Sequence, residues 1–408
     1  MIRMILLYLT FLWMGNYFAP VVQVSPIANY IISIVIIVLL LFTGMQKESP
    51  RLNVTYIILF GIGIVLSMLM AMIYHDQSLL GTAISQRPLY FMLCFFVWWK
   101  IGLTEDELFP ILRVLTILTL FLFTISLFEP QLFMSQTTIE KFYSKQSTST
   151  DVLCFMPGHL YVLLYLFYLL QNLQENFSRM DWLIVFASLG MFFIFQNRST
   201  LIYLAVIMVY FLVKNRKRFS HHGRGIVVLS VIFVLLIGLP YIRTISESLI
   251  TETQLQLEDD EYNRKIALQY YLFDYNEGSI VKMIFGNGQP TTGSDYFEDM
   301  VEGNEQGAYW SDLGFIGDWF LFGVIPIITL LIMAYKVFRY PYPQYLKYLF
   351  ASFLLVPTIH TFSGNNMHVF YFSLVMYLVC LNEYRLKYQV ETQLEDVADV
   401  ENGIVENA

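Results

Sequence analysis

WLIVFASLGMFFIFQNRSTLIYLAVIMVYFLVKNRKR, residues 182–218, decides how the chain is laid out. From Trp182 to Val213 it carries a single charge, Arg198. As one helix rising 1.5 Å per residue, 182–213 would run about 48 Å, too long for a hydrocarbon core of about 30 Å. Two short spans joined by a tight turn at Gln196-Asn197-Arg198 fit better. They also return the basic cluster KNRKR, 214–218, to the side from which the run set out.

Outward from this stretch the chain reads almost entirely as apolar runs of membrane-spanning length, about 17 to 25 residues. They fall near 4–23, 27–44, 54–74, 84–102, 108–128, 151–171, 181–196, 197–213, 225–242, 311–335, 345–363 and 366–384. The first begins at Met4 behind Arg3 and has no small-residue cleavage site, so it reads as a retained span. With the N-terminus inside, sixteen of the 24 Lys and Arg fall on the cytoplasmic side. Arg198 then lies outside, and KNRKR lies inside only if 182–213 crosses twice. This bias predicts about twelve transmembrane helices with both termini cytoplasmic. The expected fold class is an all-α integral membrane protein with one large external loop containing short helices. Residues 1–242 supply helices one to nine, 243–310 the external loop and 311–384 the last three helices. The acidic tail 385–408, low in aromatics, is expected to be disordered and cytoplasmic.

Composition agrees. The chain has 408 residues, of which 57% are hydrophobic and only 14% charged, against about 25% charged in soluble domains. A formal charge of −8 leaves no basic footprint, which excludes nucleic acid as a partner. The cysteines Cys94, Cys154 and Cys380 sit in apolar runs without CxxC or metal spacing and read as packing residues. No internal repeat is visible.

The chemistry is expected where polar groups gather. Arg198 puts a guanidinium at the outer lipid boundary, a costly place unless it meets water or an anion; the alternative is an interfacial anchor that snorkels to the headgroups. In the loop, LEDDEY, 257–262, reads as a solvated acidic patch rather than a metal site. EYNRKIALQYYLFDY, 261–275, patterns as an amphipathic helix with Arg264 and Lys265 near its start and Tyr270 and Tyr271 among its aromatics. IFGNGQPTTGSDY, 284–296, is a turn, with ligand contact an open alternative. EGNEQGAYWSDLGFIGDWFLFGVIP, 302–326, leads into the next helix, and Gly314, Gly317 and Gly323 leave surfaces for close backbone packing. Glu302, Glu305, Asp312 and Asp318 bring carboxylates to the mouth of that span, where desolvation suits a carboxylate to act as base. HTFSGNNMH, 360–368, places His360 and His368 by the last external turn, where they read as packing residues.

Together these stretches resemble the bacterial O-antigen polymerase and ligase superfamily. QNRSTLIYLAVIMV is similar to the family's arginine-led helix start, with Arg198 on the arginine. EYNRKIALQYYL resembles its Arg-containing loop helix, with Arg264 on the arginine, and IFGNGQ resembles the Gly-x-Gly that follows. GNEQGAYWSDLGFIG resembles the His-Asn…Leu-Gly-x-x-Gly stretch: Asn304 falls on the Asn, but Gly303 stands where ligases carry His.

The resemblance implies a membrane glycosyltransferase, a polymerase of polyprenyl-diphosphate-linked oligosaccharide repeat units working on the external face of the bacterial cytoplasmic membrane. Its product would be O-antigen, capsule or exopolysaccharide. Arg198 and Arg264 would bind the diphosphate. Asn304, Tyr270, Tyr271 and Trp310 would contact substrate, and Glu305, Asp312 or Glu302 would act as base. No cofactor and no metal are implied; the partners implied are the lipid-linked oligosaccharide, the bilayer, a chain-length regulator and a flippase. A ligase that moves the chain to a lipid or protein acceptor is the near alternative. A lipid-linked oligosaccharide flippase is the distant one, against which the missing repeat argues.

Overall fold

The computed structural model describes residues 2–19, 25–44, 52–134, 154–175, 178–195, 198–215, 263–305, 309–357 and 360–406. Among these residues the regular elements are helices. Before the polar insert come α1 (Ile2–Met14), α2 (Pro26–Phe42), α3 (Thr55–His75), α4 (Leu79–Ser85), α5 (Cys94–Ile101), α6 (Glu105–Phe128), α7 (His159–Glu175), α8 (Arg179–Ile194) and α9 (Arg198–Asn215). The insert holds α10 (Asn263–Gln269), α11 (Ile280–Phe285) and α12 (Asp295–Glu305). After it come α13 (Phe315–Phe322), α14 (Val324–Arg339), α15 (Gln344–Leu355) and α16 (Asn366–Glu406). The run 182–213 divides into α8 and α9 at the expected break, and α9 begins at Arg198. The span expected at 225–242 lies outside the described residues.

Local chemistry sets the ends. Ser25 accepts the Ala28 amide at 3.3 Å, ahead of Pro26 at the first helical position. Thr104 and Glu107 form a reciprocal capping box at the start of α6. Asp76 ends α3 in the left-handed conformation.

Among the described residues three helices are long and apolar enough to cross a bilayer: Thr55–His75, Glu105–Phe128 and the part of α16 from Asn366 to Tyr388. α4 and the 3-10 turn Arg87–Leu93 that leads into α5 make a fourth only as one span bent by 70°. The helical end of the 311–335 run is likewise broken, at Gly323. The shorter apolar helices α1, α2, α7 and α9 pack alongside. The spanning window of α16 is 78% buried, against 33% for α3 and 39% for α6. The last helix is therefore the central pillar, ringed by aromatic contacts such as Phe370 against Phe11 and Trp98 at 5.4 and 5.2 Å. The outer helices show apolar faces: along α2, Ile27, Ile31, Ile34, Val35 and Val38 are all exposed. Such a stripe is stable in lipid and not in water, so the protein is membrane-embedded.

α16 also runs on to Glu406, through the acidic stretch after Lys387 that was expected to lack order. Glu, Gln, Leu and Ala there, interspersed with weaker helix formers such as Val and Asp, extend a helix that is already nucleated by the packed part, so the low apolar content does not end it.

Candidate functional site

The polar insert folds back onto one end of the bundle. The cause is visible in IFGNG. Gly286 has φ +81° and Gly323 φ +75°, and the two backbones meet: a Cβ on Gly286 would stand 2.4 Å from Gly323 N, and one on Gly323 2.3 Å from Ile284 O. Only glycine permits both the left-handed turn and that approach. Asn287 and Gly288 then donate their amides to the Phe320 and Leu321 carbonyls at 3.0 and 2.8 Å, which caps the end of α13. The Asn287 side chain donates to Phe320 O and to Asn276, and meets His75 Nε2 at 3.2 Å. Gln77, just past α3, ties in Gln289 and Thr291. The expected turn is formed, and its Gly-x-Gly is a clasp between insert and bundle. Gly317 similarly seats the Trp310 carbonyl, while Gly314 turns the chain at φ +55°.

The amphipathic helix expected over 261–275 is α10 followed by a π-helical turn, Tyr270–Asp274. One extra residue in that turn swings Tyr271 inward. Tyr271 is fully buried, 4.6 Å from the Phe320 ring, and its hydroxyl is hydrogen-bonded by the Trp310 backbone. It is a packing residue and offers no face to a sugar. Tyr270 is half-buried and does present one, across from Gly303. A Cβ on Gly303 would lie 2.9 Å from that ring, so any larger side chain at 303 would have to displace the Tyr270 ring. Burial, with Asp299, Glu302 and Asp274 nearby, raises the Tyr270 phenol above its usual range, so it remains a hydrogen-bond donor at neutral pH. Glu302 is exposed on α12 beside it, and Trp310 is half-buried in a 3-10 turn. The backbone places Arg198 first in α9, Arg264 in α10, Asn304 and Glu305 at the end of α12 and Asp312 beside Trp310; their side chains, and the acidic run at 257–262, lie outside the described residues.

Asp318, fully buried on α13, accepts four hydrogen bonds from three donors. Thr361 Oγ1 reaches both carboxylate oxygens at 2.8 and 3.0 Å, the Phe362 amide donates at 2.8 Å, and Ser363 Oγ completes the set. This carboxylate fastens the 361–363 loop, which joins His360 to His368.

Those two histidines share a cavity of about 70 Å³ with His159, Thr200 and Tyr203. The His159 and His368 rings are 6.1 Å apart, and His360 lies 5.5 Å from Tyr203. His360 Nε2 and His368 Nδ1 are buried without a hydrogen-bond partner. No pattern in the chain joins His159 to the others, since it lies within the apolar run 151–171 and His368 near the start of 366–384. The short helix α13 links this cavity to the insert, with Phe315 6.3 Å from His360 and Phe320 packed on Tyr271. Five residues of helix between Phe315 and Phe320 rise about 7.5 Å, so the cavity that Thr200 and Tyr203 of α9 help to line and the insert approach the same short helix. Among the described residues no grouping of His, Cys, Asp or Glu is placed to hold a metal ion. No family model, no curated protein and no solved structure matches this chain.

Proposed function

We propose that the protein is a polysaccharide polymerase, a membrane glycosyltransferase that joins polyprenyl-diphosphate-linked oligosaccharide repeats at the outer face of a bacterial cytoplasmic membrane. The topology is the one the charges favour, about twelve spans with the insert outside. The observation that carries the reading is the amphiphilic insert. One side clasps the bundle through Asn276, Asn287 and the glycines. The other exposes Phe273, Ile280, Val281 and Ile284, close to the exposed Ile73 and Tyr74 at the end of α3. A segment with polar contacts inward and an apolar rim suits headgroup depth, where the diphosphate of a lipid-linked sugar lies.

In this reading the C–O bond from the donor sugar to the lipid diphosphate breaks as an acceptor hydroxyl attacks. The acceptor proton passes to a base, and the diphosphate leaves with the electron pair. Arg198 and Arg264 supply charge to the leaving group, worth about 10²–10³ in rate for one well-placed donor. Tyr270 stacks on a sugar face. Glu302 is the base candidate whose side chain is described; Glu305 lies three residues and Asp312 ten residues further along the chain.

The test is a deletion strain. A polymerase predicts loss of long polymer and accumulation of lipid-linked single repeats outside the membrane. Accumulation inside would make the protein a flippase, and unchanged polymer would remove it from this pathway.

A further inference from the structure

The cavity of His159, His360 and His368 stands where three helices begin. His159 is the first residue of α7, Thr200 the third of α9 and His368 the third of α16. Each helix start carries about half a positive charge on its unpaired amides, and such ends collect anions. One opposing end is present, since Phe192 and Phe195 bring the C-terminus of α8 to the wall. Three positive ends outweigh it.

The side chains agree with the backbone. His360 is only 7% exposed and its Nε2 has no partner, an arrangement that costs stability unless the nitrogen serves a ligand. His368 Nδ1 is in the same condition. Among the described residues no carboxylate lines the cavity. About 70 Å³ is the space of a few waters; it takes one phosphoryl group and not a sugar ring. The α9 helix start that delivers Thr200 is also the one that Arg198 begins.

The geometry points to an anion subsite for the terminal group of a phosphate or diphosphate ester, bound by imidazole N–H groups and three helix starts. The proposed polymerase reading enters only in naming a lipid as the carrier of that phosphate.

The experiment is a binding titration on the full chain in detergent micelles. One arm uses a short polyprenyl diphosphate and the other inorganic pyrophosphate, with thermal stabilisation and calorimetry as readouts. The diphosphate lipid is expected to bind wild type, and His360→Phe, which fills the cavity with an apolar ring, to raise Kd at least tenfold. His368→Gln, less disruptive to packing, is expected to raise it severalfold with an unchanged Tm in the absence of ligand. A site for a lipid-borne diphosphate gives tight binding of the lipid and weak competition by pyrophosphate. Equal affinity for both assigns the site to free anions. Unchanged Kd in His368→Gln and His360→Phe, or no binding to wild type, overturns the subsite. Polymer synthesis does not enter the measurement. A chain that binds diphosphate but elongates nothing would sink the polymerase reading and leave the anion site standing.

Discussion

The two ends of the helix bundle use their polar residues in opposite ways. At one end charges are matched to charges. Arg3 meets Glu107 at 2.7 Å, Lys336 meets Glu383 at 2.7 Å and Arg385 meets Glu105 at 3.1 Å. Tyr345 and Asn382 each donate to Glu105 at 2.7 Å, and Tyr56 donates to Glu383. At the other end, where the insert folds back, the described contacts are made by amides, hydroxyls, glycines and the buried Asp318 carboxylate, which meets no cation among the described residues, and two imidazole nitrogens are left unpaired. A polar group already satisfied within the fold has little to offer a ligand, whereas a buried unsatisfied one has a cost that binding can relieve. The first end holds the helices together. The second end holds them in place for something else.

If that division is real, mutations at the two ends must separate stability from activity. The largest effect is expected for Arg198→Ala and Arg264→Ala: each should cut polymer at least 100-fold while the protein stays in the membrane at wild-type level, as read by immunoblot and glycan gel. Normal-length polymer from either mutant would remove its diphosphate role. Next comes Gly286→Ala, which combines a positive φ with a Cβ against backbone and should destabilise the chain by about 3 kcal/mol. Thermal unfolding in detergent reads this, and an unchanged Tm would mean that the clasp between insert and bundle is not formed. Asp318→Ala should cost a similar amount, about 3 kcal/mol, by leaving the Phe362 amide and two hydroxyls without their acceptor. It should also lower activity through the loop that carries the histidines, and Asp318→Asn should recover part of both. The smallest effect belongs to the paired end. Glu107→Gln should cost about 1 kcal/mol at most, because the Arg3 pair is partly solvated, and should leave polymer length unchanged. A polymer defect there as large as that of Arg198→Ala would erase the distinction between the ends.

Much of the scaffold was legible in the chain. Apolar length located the helices, and a bilayer's thickness alone split 182–213 into α8 and α9, because that argument depends only on rise per residue. The breaks at Gln86 and Gly323 were not legible, since apolar content says how much of a segment belongs in lipid and not whether it bends there. The tail after Lys387 was misread for a related reason: composition reports on burial, and a helix propagating from a packed pillar needs little of it. Within the site, Tyr270 and Tyr271 are neighbours of one residue type, and only the π turn decides that one is available and the other buried. The spacing of Gly286 and Gly288 marked a turn but not what approached it, because Gly323 lies far along the chain. The histidines were hardest. His159 and His368 are more than 200 positions apart in sequence, and each taken alone has the ordinary look of a packing residue.

Whether the insert end elongates lipid-linked sugar is decided by reconstitution. Purified full-length protein in proteoliposomes would be given lipid-linked single repeats isolated from the deletion strain, and the glycan released from the lipid would be sized. The account predicts a ladder of multiples of the repeat, absent with Arg198→Ala and intact with Glu107→Gln. Recovery of single repeats alone from wild-type protein that is folded and inserted would contradict it.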